Sequence, residues 1–187
     1  MSVWDDLIQK LAFLDIEQQE RVLAFVNQID NGQDVNRIVV YVTISALKTD
    51  ITVKTKYTYR GSQVKGMLGL IDTVADYLQS KSDHSIGRDF ATYVLQTTGL
   101  SPLSEDEAKR LIVGHKVSRG EIYDSIRNQA DELITEIKDQ IEALFVHFPM
   151  VKNPLTQQML VLRGEFRHVH GLDQVLQEAT GLKVIVE

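Results

Sequence analysis

Five consecutive residues, Ile38-Val39-Val40-Tyr41-Val42, limit what this chain can fold into more than any other segment. Four of the five are β-branched, so they lose χ1 freedom in a helix and pack well on a pleated surface. A continuous apolar run of this kind predicts a strand covered on both faces, which requires other layers around the sheet. The period then changes. Ile51-Thr52-Val53 and Tyr57-Thr58-Tyr59 alternate, predicting a more exposed hairpin partner over about residues 50–59.

Helical spacing follows. Leu68, Ile71, Val74, Ala75 and Leu78 share one face after Gly66, and Phe90, Ala91, Val94 and Leu95 do so after Gly87. Ser104 with Glu107 matches a capping box, predicting a short helix through Leu111; a strand at 111–113 is the competing reading. Residues 120–148 form the longest predicted helix, with Ile122, Ile126, Leu133, Ile137, Ile141, Leu144 and Phe148 in one stripe and Pro149 as its stop. A strand at 159–162, a helix at 172–179 and a strand at 182–186 complete the chain. This order predicts an α/β class domain over residues 37–187, a mixed sheet flanked by helices, with linker-like stretches at 31–36 and 151–157.

Residues 1–36 read as a separate helical hairpin. Trp4, Leu7, Ile8 and Leu11 form one stripe and Val22, Phe25, Val26 and Ile29 another, with Asp15 as a cap between them and Asn31-Gly32 as the stop. Two helices are too few to bury such stripes alone. Trp4, Leu7, Leu11, Phe25 and Val26 are therefore expected to form an interaction surface, either on the α/β domain or in a homo-oligomer or partner interface.

Composition removes several function classes. The chain has no cysteine, which excludes disulfides, thiolate zinc sites and cysteine nucleophiles. Its net charge of -6 gives no general counterion-release advantage on nucleic acid. Lys48, Lys54, Lys56 and Arg60, interleaved with Tyr57 and Tyr59, could form a single-strand stacking platform, but a solvated hairpin face is the simpler reading. No apolar run is long enough to span a bilayer, and Met1-Ser2-Val3-Trp4-Asp5-Asp6 lacks a basic leader, so a cytoplasmic protein without a transmembrane segment is expected. Glu165, His168 and His170 with His147 could be drawn as a metal site, yet nothing in the sequence fixes His147 nearby, and a polar loop accounts for them. Ser62, Ser104 and Ser118 lack a nucleophile-elbow setting, and Asp72 and Asp76 read as a solvated helix face.

Three segments, in order, resemble the C-terminal half of the MreB family of bacterial actin-like rod-shape proteins. Residues 42–53, V-T-I-S-A-L-K-T-D-I-T-V, align with the family's second phosphate loop, V-D-I-G-G-G-T-T-E-V-A-V. Val64-Lys65-Gly66 and Ile86-Gly87 sit where the family has V-G-G and I-G-E-R-T-A-E. Leu160-Val161-Leu162-Arg163-Gly164, then Gly171-Leu172-Asp173, Leu176, Thr180-Gly181-Leu182 and Val184, follow I-V-L-T-G-G-G-A, G-L-D, L, T-G-L and V. The resemblance covers residues 37–187 and implies an actin-like, ribonuclease H-like half-domain.

The departures lie at the nucleotide. Glycine triplets let backbone N–H groups close on phosphate. Ser45, Ala46 and Leu47 replace one triplet, and Glu165 and Phe166 replace two glycines after Gly164 in the other. The family's metal-organising aspartate corresponds to Thr43, and its nucleoside-contacting glutamate and lysine to Thr92 and Leu95. Only 36 residues precede the resemblance, too few for the family's other half, so the cleft between halves is expected to be missing. The resemblance thus implies a degenerate pseudo-ATPase, a scaffold module with no cofactor and no catalytic residue. Its expected partner is another protein, an actin-like homologue of a cytoskeletal or membrane-associated assembly, or itself. The alternative is an ATP- or phosphate-ligand-binding protein completed by a second chain.

Overall fold

The apolar run forms the body of the first strand, β1 (Arg37–Ile44), in a computed structural model that describes residues 37–187 other than Tyr57, Pro154 and Leu155. The expected hairpin at 1–36, with Trp4, Leu7, Leu11, Phe25 and Val26, lies outside the described residues. Strands β2 (Lys48–Lys54), β3 (Tyr59–Lys65), β4 (Gln157–Gly164) and β5 (Lys183–Val186) join β1 in one sheet of order β3-β2-β1-β4-β5. The first three are antiparallel neighbours, whereas β4 and β5 are parallel, so the sheet is mixed.

Two strand expectations need correction. A single hairpin partner over 50–59 is instead two strands separated by a tight turn. The Thr55 N–H donates to the Thr58 carbonyl at 2.8 Å, and the Thr58 N–H donates to Thr55 Oγ1 at 3.1 Å. The sequence hides β3 because it is an edge strand with one buried side chain, Val64, so no apolar alternation marks it. Coverage of β1 is also unequal. Ile38, Val40, Val42 and Ile44 are fully buried, whereas Val39, Tyr41 and Thr43 are half-buried. On that second face the Arg163 guanidinium lies 4.2 Å over the Tyr41 ring and also bonds Glu187, shielding apolar area with an amphipathic side chain.

Helices α1 (Leu68–Ser80) and α2 (Arg88–Thr98) occupy the predicted positions. Helix α3 (Glu105–Ala108) has the predicted capping box but stops short of Leu111, which makes only an isolated bridge to Ser118. Helix α4 (Arg119–Phe145) ends before Phe148, and Pro149 instead opens a 3-10 turn, Pro149–Lys152, that runs into the stretch read as a linker. Its stripe is core throughout: Ile122, Ile126, Leu133, Ile137, Ile141, Leu144 and Phe148 are all buried. Val42, Ile51 and Ser62 stand in cross-strand register, and Ser62 donates to Gln140 of α4 at 2.7 Å, which fixes the face on which α4 lies. Helix α5 (Leu172–Thr180) then returns the chain to β5 through the buried Leu172 and Leu176.

The crossing through α4 begins at a cap. Ser118 Oγ accepts from the Glu121 N–H while the Glu121 carboxylate accepts from the Ser118 N–H at 2.7 Å, closing a second capping box at the start of α4. Hydrogen bonds from the Ser118 backbone, then from its side chain, hold the Glu121 carboxyl below the ordinary carboxylate range. A lowered folded-state value means this contribution is present above the unfolded value, 4.5, and is lost as pH falls through the folded one. Denaturant unfolding of the Glu121→Gln variant across that window is expected to lose less stability on acidification than the wild type. Parallel acid profiles for the two proteins would remove the cap from this role.

Candidate functional site

The turn between β1 and β2 is built from Ser45, Ala46 and Leu47, and its hydrogen bonds are local. The Ser45 N–H donates to the Lys48 carbonyl at 3.0 Å, the Ser45 hydroxyl donates to the same oxygen at 2.7 Å, and the Lys48 N–H donates back to Ser45 Oγ at 3.2 Å. Outside the turn, the carbonyls of Leu47, Ser45 and Ala46 accept from the N–H groups of Gly66, Met67 and Leu68 at 3.2, 3.1 and 2.8 Å. Gly66 permits this approach, since a Cβ there would lie 2.4 Å from the Ser45 carbonyl oxygen. Leu47 is left at the tip, 77% exposed.

The loop after β4 docks on the same turn. Gly164 has φ +94°, and a Cβ would sit 2.3 Å from the Ile44 carbonyl oxygen, so only glycine fits without displacement. The Phe166 N–H donates to that carbonyl at 3.4 Å, and the Phe166 ring is buried with the core. Glu165 beside it is exposed. Farther along, the His170 N–H donates to the Gln96 carbonyl at 3.2 Å, and the Leu100 N–H donates to the His170 carbonyl at 2.9 Å. The loop therefore bonds directly to the end of α2. Of the two α2 positions aligned with nucleoside contacts, Leu95 is fully buried and Thr92 half-buried.

A cavity of about 350 Å³ opens beside the turn, lined by Ala46, Leu47, Lys65, Gly66, Gln129 and Glu132. Its cation, Lys65 Nζ, lies 3.6 Å from Glu132 and 3.9 Å from Glu136. An oxyanion would meet an already paired amine and the Glu132 carboxylate there.

The remaining sequence candidates separate. Lys48 pairs across β2–β3 with Lys65, whereas Lys54 pairs with Tyr59 and Val53 with Arg60, so Lys48 sits at the opposite end of the strand from Lys54, Arg60 and Tyr59, which stay together. Asp72 is held by Arg88 at 2.8 Å, and Ser104 and Ser118 serve as caps. Among the described residues no group of His, Asp and Glu side chains is arranged to hold a metal ion, and no helix is long and apolar enough to cross a membrane. Sequence reasoning missed Arg119, whose guanidinium donates to the Thr97 and Thr98 carbonyls at the C-terminus of α2, where the helix dipole favours a cation. A single arginine in the first turn of a helix carries no sequence signal for such a long-range contact.

Comparison with solved structures identifies the architecture. MreB5 of Spiroplasma citri bound to AMPPNP superposes with a TM-score of 0.62 at 16% identity, over 85% of this chain and 51% of that one. A MamK double helical filament gives 0.58 at 16% identity, over 86% and 52%. A PilM–PilN type IV pilus biogenesis complex gives 0.57 at 16% identity, over 82% and 36%. No family pattern and no curated protein matches the sequence. The fold is that of an actin-like half-domain, a mixed five-stranded sheet flanked by helices, and the chain spans between about a third and a half of these structures' lengths.

The two glycine-replacing loops make opposite predictions. Gly164→Ala forces a Cβ against the Ile44 backbone at a positive φ, and a loss of at least about 1–3 kcal/mol in urea unfolding is expected. Leu47→Ser, at an exposed tip, should stay within about 0.5 kcal/mol of the wild type. Equal effects at both positions would contradict this packing.

Proposed function

We propose that the protein is a non-catalytic scaffold module, an actin-like half-domain that docks on another protein within a filament-forming or membrane-associated assembly in the cytoplasm. The observation that carries this reading is the closure of the loops on one another. A phosphate cradle needs several N–H groups converging on open space. Here the Ser45, Lys48 and Phe166 N–H groups point to protein acceptors, and the Phe166 side chain is inside the core. Thr43 cannot supply the charge of a metal-organising aspartate. Thr43 in place of a metal-organising carboxylate and a core leucine at Leu95 support the same reading.

Support for a protein partner comes from the neighbours: one is a filament and one a binary complex. Another actin-like chain or a second copy of this one fits that pattern best. The second reading, an ATP- or phosphate-ligand-binding protein completed by another chain, is favoured by the nucleotide-bound neighbours, MreB5 with ADP or AMPPNP and a MamK mutant with AMPPNP.

Calorimetric titration of the full chain with ATP and magnesium separates the two readings. No saturable heat is expected at nucleotide concentrations on the order of millimolar, where even a binding free energy near 4 kcal/mol would register. A micromolar dissociation constant would overturn the scaffold reading in favour of the second.

A further inference from the structure

The loop between α3 and α4 presents apolar and basic side chains together at the surface, and no part of the nucleotide-site comparison accounts for it. Leu111 bridges Ser118, the Ile112 N–H donates to the Val117 carbonyl at 2.7 Å, and the His115 N–H donates to the Ile112 carbonyl at 2.9 Å. Strand-like alternation then divides the side chains. Ile112 and Val117 are buried and anchor the loop to the core, while Leu111 is 66% and Val113 84% exposed. Around them, residues 109–119 carry Lys109, Arg110, Lys116 and Arg119 without one acid, in a chain with 26 acidic and 20 basic residues. The acids of α3 are partly engaged, Glu105 with Lys109 and Glu107 with Ser104. His115 lies 5.0 Å from the Phe90 ring, and Phe90 stacks on the exposed Tyr93, extending the surface with an aromatic flank.

From this arrangement we infer that the loop is a contact site for an anionic lipid surface. It rests on the reading of the protein as an interaction module and names one partner of that module. Exposed Leu111 and Val113 flanked by cations match an interface in which acyl chains take the apolar tips and phosphate headgroups take Arg110 and Lys116. Tyr93 is of the type that settles at headgroup level. A protein partner is the weaker fit. Stable protein interfaces cover about 800 Å² on each side, which two apolar tips do not supply. A lipid surface needs no such area from one loop, because several loops on an assembly add their weak attachments.

Sedimentation of the full chain with vesicles tests this. Binding is expected to vesicles of equal phosphatidylcholine and phosphatidylglycerol, not to phosphatidylcholine alone, and to weaken as salt is raised. The double variant Arg110→Gln/Lys116→Gln should lose roughly 25-fold in partitioning, about fivefold per cation. Leu111→Ser/Val113→Ser should lose about tenfold or more, through lost apolar contact. Both pairs are exposed, so circular dichroism spectra should overlay the wild type; the salt dependence gives a readout that needs no variant. Absence of wild-type binding to anionic vesicles, or unchanged binding in the Leu111/Val113 variant, would overturn the inference. Loop-dependent retention on a polyglutamate matrix without vesicle binding would also overturn it, assigning the loop to an acidic protein. A flat nucleotide titration bears on the scaffold reading alone, and failure of vesicle binding leaves that reading standing.

Discussion

Gly164 pressed against the backbone of Ile44 is the contact on which this end of the fold depends. It places the exit of β4 on the last residue of β1, so the loop that follows has no room to stand away from the β1–β2 turn. Phe166 is then carried into the core, and His170 reaches the carbonyl of Gln96 at the end of α2. From the other side, the N–H groups of residues 66–68 close on the carbonyls of the same turn. Three segments far apart in sequence thus meet around Ile44. In such a junction the N–H groups of Ser45, Met67, Leu68 and Phe166 already have protein acceptors, which supports the scaffold reading proposed above.

The rest of the domain holds that junction in place. Helix α4 lies against β2 and β3 with its apolar stripe in the core, and Arg119 at its start ties down the C-terminus of α2. Helix α5 brings β5 alongside β4, in parallel register from Met159 opposite Lys183 to Leu162 opposite Val186. Short polar devices set the directions of these crossings: Ser118 with Glu121, Ser104 with Glu107, and Thr55 with Thr58. Each leaves the core to hydrophobic side chains and engages backbone groups that would otherwise lack partners.

What the sequence made legible follows from how strongly each element is buried. The β-branched run of β1 and the stripe of α4 could be read because burial imposes a period on many residues at once. β3 could not, because an edge strand with only Val64 buried is free to be Y-R-G-S-Q-V-K. Nor could the loop at 111–118, where alternation lasts three residues and a helix and a strand fit equally well. Ser118 was legible in principle, as its capping partner stands three residues on. At the site, resemblance located Ser45, Leu47, Gly164 and Phe166, but not their differing fates. Leu47 faces solvent and Phe166 the core. That division depends on the approach of β4 to β1, a long-range pairing to which local sequence is blind.

A scaffold role requires the junction around Ile44 to be closed and to stay closed. Hydrogen–deuterium exchange, resolved at the amides of 44–48, 66–68 and 164–171, measures this directly, with and without ATP and magnesium. Slow exchange at Ser45, Met67, Leu68 and His170, the same in both conditions, is the result expected of amides already bonded within the protein. Rapid exchange at these positions that becomes slow when nucleotide is added would show an open site that nucleotide closes, and would contradict the account.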